Sequence, residues 1–145
     1  MEPEIETFTS KINATSVRKL TQIQFNDAVG TNLLPLRIFR RENYFVLEKD
    51  DDWKFLIIKI SRSKKPFLGV DMNILDRLNG SLNNYYLVLL ESNKAGYRYS
   101  KSQLNWNIRH DWRIARDNNC KINYGTLSDE NHFLSVGSFL TSELF

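Results

Sequence analysis

The residues able to do chemistry begin with a lysine inside an apolar run, Lys59 in LIIKIS, behind a knot of acids: Glu48, Asp50, Asp51 and Asp52. A lysine beside carboxylates is what metal-dependent phosphodiester cleavage uses. Hard oxygen ligands hold Mg²⁺, the ion activates water, and the lysine positions or polarises it. On a strand, residues i and i−2 share a face. The position that would set an acid beside Lys59 is therefore 57, and it holds Ile57. The bland reading of Lys59 is a strand-end lysine reaching solvent; that of EKDDD at 48–52 is a solvated turn, without the ligand spacing of a calcium loop. Other chemistries lack their parts. His110 and Asp111 are adjacent and cannot readily face each other, and one cysteine with two histidines makes no zinc site of usual spacing. No Ser or Cys has a placed base, and no glycine loop cradles phosphate.

A second set is basic and aromatic. The segment 94–121 interleaves Tyr97, Tyr99, Trp106 and Trp112 with Lys94, Arg98, Lys101, Arg109, Arg113, Arg116 and Lys121. Cations neutralise phosphates and release counterions. Arginine forks onto guanine, asparagine and glutamine onto adenine. Aromatic faces such as Tyr99 stack on exposed bases. On a helix through 101–108, Gln103 and Asn107 share a face at i, i+4 with Lys101 nearby, and that face can read bases. SRSKK at 61–65 adds Arg62, Lys64 and Lys65 as phosphate contacts beyond a strand end. Taken singly, each tryptophan reads as core, covered by arginine stems.

These residues need elements to hold them. Residues 15–29 space apolar side chains as a helix stopped by Gly30. LPLRIFR at 34–40 alternates as a strand, YFVL at 44–47 follows, and WKFLIIKI at 53–60 reads as a central strand buried on both faces. A helix over 70–82 ends at Asn79-Gly80, and YYLVLL at 85–90 is another buried strand. YRYS at 97–100 returns as a hairpin, and Ser100 with Gln103 forms a capping box opening the next helix. WRIAR and KINY flank a polar turn as a second hairpin. Ser128 or Asp129 caps a last helix through Leu140 that contains His132. The class is α+β, or mixed α/β. A central mixed sheet is flanked by helices in one domain over 1–145, with a core over 15–90, the basic aromatic segment at 94–124 and a terminal helix at 128–141.

The order α-β-β-β-α-β over 15–90, with Lys59 on the third strand, resembles the PD-(D/E)XK nuclease fold of restriction enzymes and related DNA-processing proteins. The resemblance implies that Lys59 matches the motif lysine and Glu48 the earlier acid, with Mg²⁺ as cofactor; Ile57 departs from the motif. The stretches FLGVDMNILDRLN, YYLVLLES, GYRYSKSQL and FLSVGSFL are similar in style to proteins around restriction-modification and phage-defence systems, which implies a role in DNA recognition or cleavage.

Composition limits the rest. Residues 54–121 carry 13 Lys and Arg against 5 Asp and Glu, while the two ends together are acidic. This asymmetry favours a polyanionic partner. No apolar run is long enough to span a membrane, MEPEIETF has no signal-peptide core, and a lone Cys120 suits a reducing, cytoplasmic setting. The leading expectation is a DNA-binding protein or recognition domain of a restriction or phage-defence type system, without catalysis or cofactor of its own, as a homodimer or within a larger assembly. The alternatives are a Mg²⁺-dependent endonuclease with a migrated acid, and a non-enzymatic interaction or inhibitor protein.

Overall fold

The structure is a computed structural model that describes residues 3–12, 17–19, 43–49, 52–60 and 67–140. Helix α1 (Pro3–Lys11) is followed by strands β1 (Val17–Lys19), β2 (Asn43–Lys49), β3 (Asp52–Ile60) and β4 (Phe67–Asp71). Helix α2 (Met72–Ser81), strands β5 (Tyr86–Leu90) and β6 (Gly96–Ser100), and helix α3 (Lys101–His110) come next. The chain continues through β7 (Arg113–Ile114), β8 (Asn119–Asn123), β9 (His132–Phe133) and a short helix α4 (Val136–Phe139). The fold is α+β. A six-stranded mixed sheet runs β1-β2-β3-β5-β6-β9, and a smaller sheet runs β4-β8-β7. Among the described residues only β3 and β5 pair in parallel, across the β4–α2 connection; the other described pairs are antiparallel.

Strand β3 lies inside the large sheet, and both its faces are covered. Phe55 and Ile57 enter a core shared with Leu87, Leu89, Tyr99 and residues of α2, α3 and the small sheet. Leu56 and Ile58 enter a second core with Val88, Leu90 and the Phe8, Phe133 and Phe139 rings. A run of alternating apolar residues that buries both faces is what a central strand requires. Each such side chain contributes about 1.5–3 kcal/mol by leaving water.

Several elements differ from the sequence reading. Residues 17–19, expected in a helix, pair with β2 as a strand; ladder pairing overrides local spacing there. The remainder of that expected helix and the strand at 34–40 lie outside the described residues. Helix α1 was not expected; Ile5 and Phe8 form its buried face, and Ile12 just beyond it is buried too. Strand β4 precedes α2, whose start falls at Met72 because the Asp71 carboxylate accepts from the Asn73 amide at 2.8 Å and caps it. The expected helix from 128 to 140 is instead a 3₁₀ turn at Asp129–Asn131, β9, and α4 capped by Ser135.

The β5–β6 hairpin and the start of α3 form as read. Gly96 lets β6 approach β5: a Cβ there would sit 2.4 Å from the Leu89 carbonyl oxygen. The Ser100 hydroxyl accepts from the Gln103 amide while the Gln103 side chain accepts from the Ser100 amide, closing the capping box. In the β7–β8 turn Asn118 adopts φ 61°, a left-handed conformation that asparagine tolerates.

Candidate nucleic-acid interface

The structure sorts the sequence candidates by what their side chains touch. Lys59 stands on the face of β3 shared with Ile57, and its ammonium donates to the Gly69 carbonyl at 2.5 Å, tying β3 to β4. Its end is part-buried against β4. Glu48 pairs with Trp53 in the β2–β3 register, at the turn end of the hairpin. Six strand positions separate Trp53 from Lys59, roughly 20 Å at about 3.3 Å each. The pairing of Glu48 with Lys59 as one metal site is therefore corrected: the hairpin holds them at opposite ends. Among the described residues no three His, Cys, Asp or Glu side chains gather closely enough to hold a metal ion. Arg62, Lys64 and Lys65 lie outside the described residues.

Of the basic segment, three candidates are structural. Tyr99 is fully buried, its ring edge-on to Trp112 at 5.3 Å and its hydroxyl accepting from the Ser128 amide at 3.0 Å. It is a core residue and presents no face to a base; burial raises its phenol above the ordinary value, partly offset by that amide. Arg98 is half-buried between the Tyr86 and Phe139 rings and donates to the Phe139 carbonyl at the end of α4. Lys101 donates to the carbonyls of Asn79 at 3.1 Å and Leu82 at 2.7 Å, closing the C-terminal end of α2. Cations suit that end of a helix, where carbonyls lack partners.

Beside Lys101 an amide network locks α2 to α3. The side chains of Asn79 and Asn105 exchange hydrogen bonds at 3.0 and 2.9 Å, and the Tyr85 hydroxyl donates to Asn79 at 2.7 Å. Burial pushes the Tyr85 phenol up to about 12.

Most of the remaining candidates are exposed. Helix α3 turns about 100° per residue, so Leu104 and Ile108 point inward while Gln103, Trp106, Arg109 and His110 share the outer half, with Asn107 half-buried at its flank. Trp106 is 56% exposed, a correction to its reading as core, and its ring lies 4.5 Å from that of His110. Trp112 is the core tryptophan, its indole donating to the Thr126 hydroxyl at 3.1 Å. Arg109, Arg113 and Arg116 are exposed, the first on the last turn of α3 and the others on and beyond β7, with Ile114 exposed between them. Lys121 is engaged with Asp117 at 3.1 Å, and Lys94 stands apart in the β5–β6 turn.

Gln103 and Asn107 belong to a groove that the sequence did not disclose. A cavity of about 480 Å³ opens between α3 and the 126–131 segment, walled by Gln103, Trp106, Asn107, Asp111, Glu130 and Asn131 among others. A second, of about 550 Å³, lies across the Gln103–Asn131 wall over Arg98 and Tyr86. Asn131 donates from one amide nitrogen to the Arg98 carbonyl at 2.8 Å and to the Gln103 side-chain oxygen at 3.1 Å. No local pattern links residues 28 positions apart, so Asn131 and its neighbour Glu130 were missed. His132, expected in a helix, sits on β9, where its Nε2 lies 2.5 Å from Glu91 and its ring 4.7 Å from that of Tyr97.

Among known proteins, no protein family, no curated protein and no solved structure matches the chain.

Proposed function

We propose that the chain is a nucleic-acid-binding protein, DNA being the expected ligand, that binds through α3 and the β7–β8 hairpin and performs no cleavage itself. One observation carries this reading: Trp106, Arg109, Arg113 and Arg116 are all exposed on adjoining elements. Three exposed guanidinium groups and an open indole on successive elements suit phosphates flanking an unstacked base. The separation of Glu48 from Lys59 favours recognition over cleavage. In a cell such a module would act in the cytoplasm as the recognition part of a restriction or phage-defence type system, as a homodimer or inside a larger assembly. Among the described residues no helix is long and apolar enough to cross a membrane.

The test is fluorescence anisotropy with labelled duplex and single-stranded DNA over a salt series. Wild-type affinity is expected to fall steeply with salt. The variant with Arg109, Arg113 and Arg116 all changed to Ala should lose about two to three units of the log–log salt slope. Absence of salt-dependent binding to any DNA, or a triple variant with the wild-type slope, would overturn the proposal.

A further inference from the structure

We infer that the groove between α3 and the 126–131 segment is a pocket for one unpaired nucleobase carrying an exocyclic amine, read by the paired amides of Gln103 and Asn131. This deepens the nucleic-acid reading and rests on it for its biological setting.

The hydrogen bonds fix which way both amides point. The Gln103 oxygen must face the Ser100 backbone amide, which can only donate. The Asn131 nitrogen must face the Arg98 carbonyl, which can only accept. The Asn131 nitrogen also donates to the Gln103 oxygen at 3.1 Å. The remaining atoms of the pair are then a Gln103 N–H donor and an Asn131 oxygen acceptor, and neither has a partner among the described residues. Both residues line the groove, and a donor with an acceptor suits an acceptor beside a donor, as on adenine (ring nitrogen and N6 amine), cytosine (N3 and N4 amine) and guanine (O6 and N1–H); thymine (O4 and N3–H) can satisfy the same pair, so its exclusion rests on the other groups of the groove.

The rest of the groove agrees with a base and disagrees with a phosphate. The Asn107 oxygen faces outward because its nitrogen donates to the Gln103 carbonyl at 2.9 Å. Asp111 and Glu130 add carboxylates to the lining. Acceptors in this number welcome an amine and repel both a phosphate and the flanking carbonyls of thymine. Trp106, one helical turn from Gln103 and 56% exposed, offers the stacking face. Arg109, a further turn along α3, can meet the phosphate outside. The volume of about 480 Å³ is within the range of small-molecule sites.

The competing occupant, an extended peptide added to the open edge of β6, is disfavoured by the same bonds. Beyond Tyr97 that edge has no strand partner among the described residues, but its Arg98 carbonyl and Ser100 amide are already taken by Asn131 and Gln103.

The experiment compares single-stranded dA, dC and dT homopolymers of equal length by anisotropy, and adenosine with thymidine by two-dimensional NMR of the intact protein. Expected are binding of dA and dC about tenfold tighter than of dT, and adenosine shifts confined to α3 and 126–131. Gln103→Glu keeps the capping acceptor but removes the donor. It should erase the dA preference while keeping the salt slope. Trp106→Ala, at an exposed position, should weaken all three homopolymers. Salt-dependent binding without base preference, and without adenosine shifts, overturns the pocket while leaving nucleic-acid binding intact. Adenosine binding without oligonucleotide binding keeps the pocket and overturns the proposed function. Absence of both overturns both.

Discussion

A lysine or arginine in this chain is defined by the carbonyl it reaches. Arg98, Lys101 and Arg109 look alike in the segment 94–121, yet the first two end on backbone oxygens of α4, α2 and the α2 C-cap, while Arg109 ends in solvent. Lys59 likewise ends on the Gly69 oxygen. Sequence spacing reported the basic character of the segment but not this division, because the accepting carbonyls lie 10 to 41 residues away along the chain. The division has a measurable consequence. Lys59→Met and Lys101→Met keep the aliphatic stem and leave part-buried carbonyls without these donors, so each should lower the unfolding free energy by about 1 kcal/mol in urea titration. Neither should alter the salt slope of DNA binding, whereas the exposed arginines should do the reverse. A Lys101→Met protein of full stability and reduced slope would show that the ammonium serves a ligand instead of α2.

At the level of elements, what the sequence disclosed were those built from their own residues. WKFLIIKI, apolar but for two lysines, and YYLVLL both became strands covered on two faces. Ser100 and Gln103 carry their own hydrogen bonds, and α3 starts where they set it. Elements made by distant partners stayed hidden. Strand β4 exists because β8 pairs with it, β9 because β6 offers Gly96 and Tyr97, and β1 because β2 captures residues whose spacing is helical. The groove falls on this second kind of element, since one wall is the segment leading into β9. Its position depends on how closely β6 lies on β5, and Gly96 sets that approach. Gly96→Ala would drive a Cβ against the Leu89 carbonyl and the Leu90 Cα, at 2.4 and 2.8 Å. Backbone on both counts cannot yield cheaply, so a loss of about 1–3 kcal/mol is expected, together with NMR shifts that spread through β6 into Asn131 and Gln103. A substitution without cost would mean that the hairpin is looser than its register implies.

Across the whole molecule, two cores share one sheet, so unfolding either exposes the sheet of the other, and a single cooperative transition is expected. Any group buried in that unit then reports on all of it. The large core holds acids kept neutral: Tyr85 at about 12, Cys120 at about 11, and Tyr99 above its ordinary value, burial being the first cause in each. The sign follows from which state releases its proton first. In the unfolded chain a tyrosine ionises near pH 10; in the fold Tyr85 keeps its proton, donating to Asn79, until about pH 12. Its contribution is thus complete below pH 10 and is lost as pH climbs from there toward 12, amounting to roughly 2–3 kcal/mol for this phenol alone. Urea midpoints measured from pH 8 to 11.5 should hold nearly level at first, fall once the cysteine and tyrosines of the unfolded chain ionise, and steepen above pH 10. Tyr85→Phe removes the titrating group and leaves Asn79 its bonds with Asn105, so its curve should start lower and decline less. Parallel curves for the two proteins would place the alkaline weakness elsewhere in the sheet and remove Tyr85 as its source.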